Sequence, residues 1–169
     1  MNIDFSVDSL STQLSGIGRY TLQLLHGLQR HADIERLRTF YHDLRLDNPY
    51  RLLTESAYSL RRQAVYRHIL RRYLENLVPA RRVIHHGPNF MLPRGISEGI
   101  ITVHDLSVFK FPETHPPERI AHFERDFAHS LDRAVHIITD TETGRRELLE
   151  FAGLPPDRVT AVHLGVSSA

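Results

Sequence analysis

The chain has no cysteine among its 169 residues. No disulfide framework and no thiolate metal site is therefore available to it, which fits a reducing compartment. No apolar run approaches the roughly 20 residues needed to span a bilayer. The N-terminal stretch MNIDFSVDS carries acid rather than base and lacks the apolar core of a signal peptide, so the expected location is cytoplasmic. Excess charge is also missing: the formal net charge is +1, which gives no global case for nucleic acid as a partner. Lysine is almost absent, since Lys110 is the single lysine among 21 basic residues. The length suits one domain better than two. A domain of this size buries roughly 70% of its unfolded-chain surface, so it needs no covalent staples.

What is present is a recurrent alternation of short apolar runs with helical periodicity. Ile3 to Val7 reads as a first strand, followed by a Ser- and Gly-rich loop from Asp8 to Gly18. A helix is expected from Arg19 to His31 on the spacing of Leu22, Leu25 and Leu28. Leu37 to Tyr41 reads as a second strand, and Asp43 to Pro49 as loop. Residues 54–77 read as a long amphipathic helix, with Leu60, Ile69, Leu70 and Leu77 among its apolar positions and Pro79 beyond its end. Further strands are expected at Val83 to His86, at 100–104, at Val135 to Thr139 and at Val159 to Leu164. Helices are expected at 118–133, opened by Pro117, and at 142–152, capped by Thr141 and ended by Gly153 and Pro155-Pro156. The strands are continuous apolar runs rather than alternating ones. That pattern predicts an α/β, Rossmann-like open parallel sheet with helices on both faces.

Four polar motifs follow strands in this reading, which puts them at the carboxyl edge, where open α/β sheets bind ligands. Ser15-Gly16-Ile17-Gly18-Arg19-Tyr20 lies between strand one and helix one. Its glycines allow positive φ and close backbone approach, and the helix start offers free N–H groups to a phosphate. It lacks the third glycine of the dinucleotide fingerprint, and a tight turn accounts for it equally well. His86-Gly87-Pro88-Asn89-Phe90 reads either as a strand-ending turn or as a polar rim. His104-Asp105 closes the apolar run GIITV. It suits acid–base or recognition chemistry, or else a histidine satisfied by loop carbonyls. Thr139-Asp140-Thr141-Glu142 leads into Arg145-Arg146 and also serves as a helix cap.

These motifs together carry a resemblance. SGIGRYTLQLL (15–25), HGPNFMLP (86–93), TVHDLSVFKFPETHPP (102–117), TDTETGRRELLEFAGLPPDRV (139–159) and HLGV (163–166) resemble, in order and spacing, the N-terminal half of family-four glycosyltransferases. The likeness is greatest to mannosyltransferase-like bacterial members that build O-antigen and other surface polysaccharides. It covers nearly the whole chain except residues 42–80. It implies the GT-B architecture of two Rossmann-like domains facing across a cleft, retention of anomeric configuration, and no bound metal or other cofactor. It makes residues 1–169 the acceptor-side domain, with the donor-binding domain absent from this chain.

The resemblance implies His104 as a catalytic contact to the transferred sugar, with Asp105 supporting it or the acceptor. It makes Gly16, Gly18, Arg19, Asn89 and Asp140 substrate-binding candidates. The implied donor is a nucleotide sugar, GDP-mannose by the closest likeness, and the implied acceptor is a glycan on a lipid carrier. One departure is Thr141-Glu142-Thr143-Gly144, where the family often has Ser-Glu-Phe-Ser. One wall of a cleft does not enclose a glycosyl transfer, so the expectation is that the chain alone shows no turnover. The alternative is a non-catalytic module that keeps the acceptor face for recognition.

Residues 51–82 hold eight arginines against Glu55 and Glu75. They read either as a solvated helix face or as a surface for anionic lipid. The second reading makes the protein peripheral at the inner face of the cytoplasmic membrane.

Overall fold

A computed structural model describes residues 1–42, 44–56, 83–93 and 95–166. Among them are seven strands, mostly parallel, with helices between, an α/β arrangement of Rossmann-like type. The chain divides into two compact units, Met1–His86 and Gly87–Ala169.

In the first unit, β1 (Asn2–Ser6) lies between β2 (Arg36–Tyr41) and β4 (Val83–Gly87) and pairs parallel with both. Strand geometry sends alternate residues to opposite faces. Ile3, Phe5 and Val7 join Leu10, Leu25 and Leu52 in one buried cluster. Helix α1 (Gly16–Arg30) contributes Leu25 to it and buries Gly18, Thr21 and Leu25 at three- and four-residue spacing. On the other face of β1, Asn2, Asp4 and Ser6 are also buried. The register sets Asp4 opposite Arg38 on β2 and His85 on β4. Arg38 grips the Asp4 carboxylate with two nitrogens, Nε at 2.6 Å, the bidentate geometry that makes a buried pair tolerable.

Helix α1 begins three residues earlier than expected. Ser15 caps it by accepting from the Gly18 N–H at 3.1 Å, so two glycines that read as loop are its first turn. The expected 43–49 loop contains a strand, β3 (Leu44–Leu46), antiparallel to β2. The expected helix at 54–77, and with it most of the arginine-rich segment, lies outside the described residues.

In the second unit, β5 (Gly99–Val103), β6 (Ala134–Thr139) and β7 (Val159–Ala161) pair parallel in that order. A short helix, α2 (Ser107–Lys110), precedes the long α3 (Pro117–Arg133), and α4 (Glu142–Ala152) follows β6. Thr141 caps α4 through Gly144 N–H at 3.0 Å, and Gly153 ends it in the left-handed conformation at φ 61°. β7 is shorter than the expected strand to Leu164. Three arginines bind the connections by donating to carbonyls. Arg133 reaches Pro93 and Ile96, Arg145 reaches Val159 and Pro156, and Arg158 reaches Leu131 and Ala134. Arg145, next to a motif that reads as functional, is thus a structural clasp.

Candidate functional site

The pairing of β5 with β6 sets Val103 opposite Thr139. The next residue of each strand is His104 and Asp140. Neighbouring strands lie about 4.8 Å apart, so two side chains that are 36 positions apart in sequence meet at the same carboxyl end. His104 Nδ1 lies 2.8 Å from Asp140 Oδ2, and its Nε2 lies 3.0 Å from the carbonyl oxygen of Pro88. Both side chains are largely buried, 9% and 14% exposed.

This geometry orients the ring. The Pro88 carbonyl only accepts, so Nε2 carries a hydrogen and donates it. The Asp140 carboxylate takes the other side of the ring, at Nδ1. Asp140 Oδ1 is buried without a hydrogen-bond partner, so the carboxylate's interactions are concentrated on His104. With both nitrogens engaged, His104 is an oriented, immobile polar group rather than a proton shuttle.

The backbone beneath it is strained. Phe90 has φ 64°, a left-handed conformation that costs a bulky residue of order 1–3 kcal/mol. Three contacts hold it there. Its N–H donates to Thr102 O at 2.9 Å, its ring sits edge-on to His104 at 5.5 Å, and Phe123 packs against it at 5.0 Å. Gly87 is required in the same turn: a Cβ there would lie 2.0 Å from Met91 O. The turn presents the Pro88 carbonyl to His104. Asn89 is half-buried between them in sequence, and its own carbonyl accepts from Met91 N–H at 2.7 Å.

Asp105 does not hydrogen-bond His104. Its Oδ1 accepts from the Ser107 N–H at 2.8 Å. Burial pushes its carboxyl group up, but the hydroxyl and N–H of Ser107 and the charges of Arg119 and His104 outweigh that and hold it below the usual range. The partner of His104 is thus Asp140, which the sequence reading placed among substrate-binding groups. Sequence spacing gave no sign of this, because the contact depends on strand register. The strained Phe90 and the clasping Pro88 carbonyl were likewise hidden. The Gly-Pro-Asn run marked a turn and nothing finer.

Gly16, Gly18 and Arg19 belong to the first unit. Neither glycine has a positive φ, contrary to the expectation for that loop. Gly18 is required by packing, since a Cβ would lie 2.8 Å from Ser9 O. Gly16 faces open space, and Arg19 is exposed. Among the described residues, no group of three or more His, Cys, Asp or Glu side chains is gathered to hold a metal ion. No helix among them is long and apolar enough to cross a membrane.

Comparison with known proteins bears on the chain as a whole. The chain is 34% identical over 187 residues to O-antigen chain mannosyltransferase B of Escherichia coli, a match covering 99% of the chain. The chain is similar to a glycosyltransferase. It spans about half the length of that relative, 48%. No family model matches the chain.

Proposed function

We propose that this chain is the acceptor-side domain of a retaining, family-four glycosyltransferase of the GT-B type. In this reading a hexose, mannose from GDP-mannose, passes to a lipid-linked glycan during O-antigen-type polysaccharide synthesis. The alignment over 99% of the chain with an O-antigen mannosyltransferase carries the reading. The placement of His104 and Asp140 past the carboxyl ends of parallel strands supports it.

Glycosyl transfer develops positive charge at the anomeric carbon and negative charge on the departing diphosphate. Groups fixed in advance stabilise such charge better than mobile ones. His104, locked between Pro88 and Asp140, is such a group. It presents its ring to the transferred sugar without surrendering either nitrogen. Gly16, open on the side a Cβ would occupy, lets a ligand approach the start of α1, and Arg19 adds a cation there. Asn89 and Asp105 serve as polar groups on the acceptor side. The remaining donor contacts belong to a second domain, and the arginine-rich segment at 51–82 meets anionic lipid at the inner face of the cytoplasmic membrane.

The test is transfer of labelled mannose from GDP-mannose to a lipid-linked oligosaccharide by the enzyme containing both domains. Transfer is expected there and not with the 169-residue chain. His104→Ala is expected to lower the rate about 100-fold or more. Failure to transfer from GDP-mannose or any other nucleotide hexose removes the reading. Sedimentation with anionic vesicles, lost at high salt and absent with neutral vesicles, tests the membrane contact.

A further inference from the structure

The Asp140 side chain makes one hydrogen bond among the described residues, and it goes to His104. Oδ2 lies 2.8 Å from Nδ1, while Oδ1 is buried with no hydrogen-bond partner. The neighbours of Asp140 in sequence are committed elsewhere. The Thr139 hydroxyl donates to Thr141 O at 3.2 Å, and Thr141 Oγ1 accepts from the Gly144 N–H to cap α4. Asp140 therefore stands between the last residue of β6 and the cap of α4, on backbone fixed from both sides. A group mounted on the ends of strands and helices holds its position more closely than one on a free loop. His104 is mounted in the same way, one residue past β5, and β5 and β6 are hydrogen-bonded neighbours.

The resemblance to glycosyltransferases makes Asp140 a substrate-binding group, and its geometry favours a different task. Oδ2 is taken up by the imidazole, and Oδ1, being buried, is closed to a ligand hydroxyl. What the carboxylate does reach is the ring. An imidazole turns about its bond to Cβ unless both edges are held. Pro88 O holds one edge at 3.0 Å, and Asp140 holds the other. The Pro88 contact comes from backbone, so Asp140 is the side chain on which the orientation depends. A buried carboxylate at Nδ1 is a recurrent means of fixing an imidazole against its substrate. We propose that Asp140 is a positioning residue, acting on the transferred sugar only through the His104 ring that it holds and binding no substrate itself. The proposal rests on the glycosyltransferase reading, in which His104 touches that sugar, and gives Asp140 a role in turnover rather than in affinity.

The test is a double-mutant cycle in the enzyme containing both domains, read as mannose transfer from GDP-mannose. Asp140→Ala is expected to lower kcat by roughly 10- to 100-fold, the cost of a slightly misplaced group, and to leave the KM of donor and acceptor within about twofold. Made in the His104→Ala enzyme, the same change is expected to alter the rate by less than about twofold, because its effect passes through a ring already gone. Should Asp140→Ala disturb the fold, Asp140→Asn carries the cycle in its place. NMR of the same proteins labelled at histidine is expected to show the His104 ring signals displaced by Asp140→Ala, with those of His115 and His136 unmoved. Losses that multiply in the double variant, a raised KM at unchanged kcat, or an Asp140→Ala enzyme that turns over as the parent does each overturn the proposal. His104 ring signals that stay in place in Asp140→Ala overturn it as well, with or without measurable transfer. Absence of transfer in the parent enzyme removes the transferase reading instead, and the ring signals then decide whether Asp140 holds His104.

Discussion

Gly87 and Gly16 are both glycines beside candidate motifs, and they answer to different demands. A methyl group on Gly87 would fall 2.0 Å from a backbone oxygen, whereas one on Gly16 meets nothing within 4 Å. Gly87→Ala is therefore expected to shift the 86–91 backbone and release Pro88 from His104, lowering the melting temperature by about 10 °C or more at roughly 2–4 °C per kcal/mol. Gly16→Ala is expected to be neutral or slightly stabilising by up to about 1 kcal/mol. In the glycosyltransferase reading it still weakens donor affinity, which a thermal melt and a donor-binding assay separate. Asp140 divides in a similar way. Asp140→Ala leaves the Nδ1 side of a buried histidine without a partner and is expected to cost about 1–3 kcal/mol in denaturant unfolding. Asp140→Asn keeps a hydrogen-bonding group of the same shape beside Nδ1 and is expected to recover most of that stability.

Elements were legible in the sequence where hydrophobic period and caps agree, and less so where they conflict. α4 reads at its observed bounds because Thr141, the periodic Leu148 and Gly153 mark start, face and stop together. α1 reads three residues late because Gly16 and Gly18 are poor helix formers, and only the Ser15 cap reveals that they are helical. β3 was missed because it has three residues, and because His42-Asp43 before it is not the Asn-Gly that announces a hairpin. The His104–Asp140 pair was legible as two sites and not as one, since register is a property of two strands and the sequence shows one at a time. The caps are testable as elements. Ser15→Ala and Thr141→Ala each remove an acceptor from a helix start and are expected to cost about 1 kcal/mol by urea unfolding. Thr141→Ser, which retains the oxygen, is expected to lose much less.

At the scale of the whole molecule, His86 is one source of sensitivity to acid. It is buried at the end of β4, with the ring of Phe5 edge-on at 5.5 Å. Burial lowers its proton affinity to a pKa of about 4, against 6.5 for an unburied histidine. Between those values the unfolded chain binds a proton that the folded chain refuses, so acid favours unfolding. The contribution of the neutral ring is intact above pH 6.5. It declines as the pH falls, and it is exhausted below about 4, where both states are protonated. A displacement of this size corresponds to roughly 3 kcal/mol, a large part of the 5–15 kcal/mol that holds a domain folded. Urea unfolding followed from pH 7 to pH 4 is expected to show that loss. His86→Leu keeps an apolar group against Phe5 and has no proton to take up, so its stability is expected to fall by about 3 kcal/mol less over the same range. Parallel pH profiles for the two proteins would show that the acid sensitivity of this fold resides elsewhere.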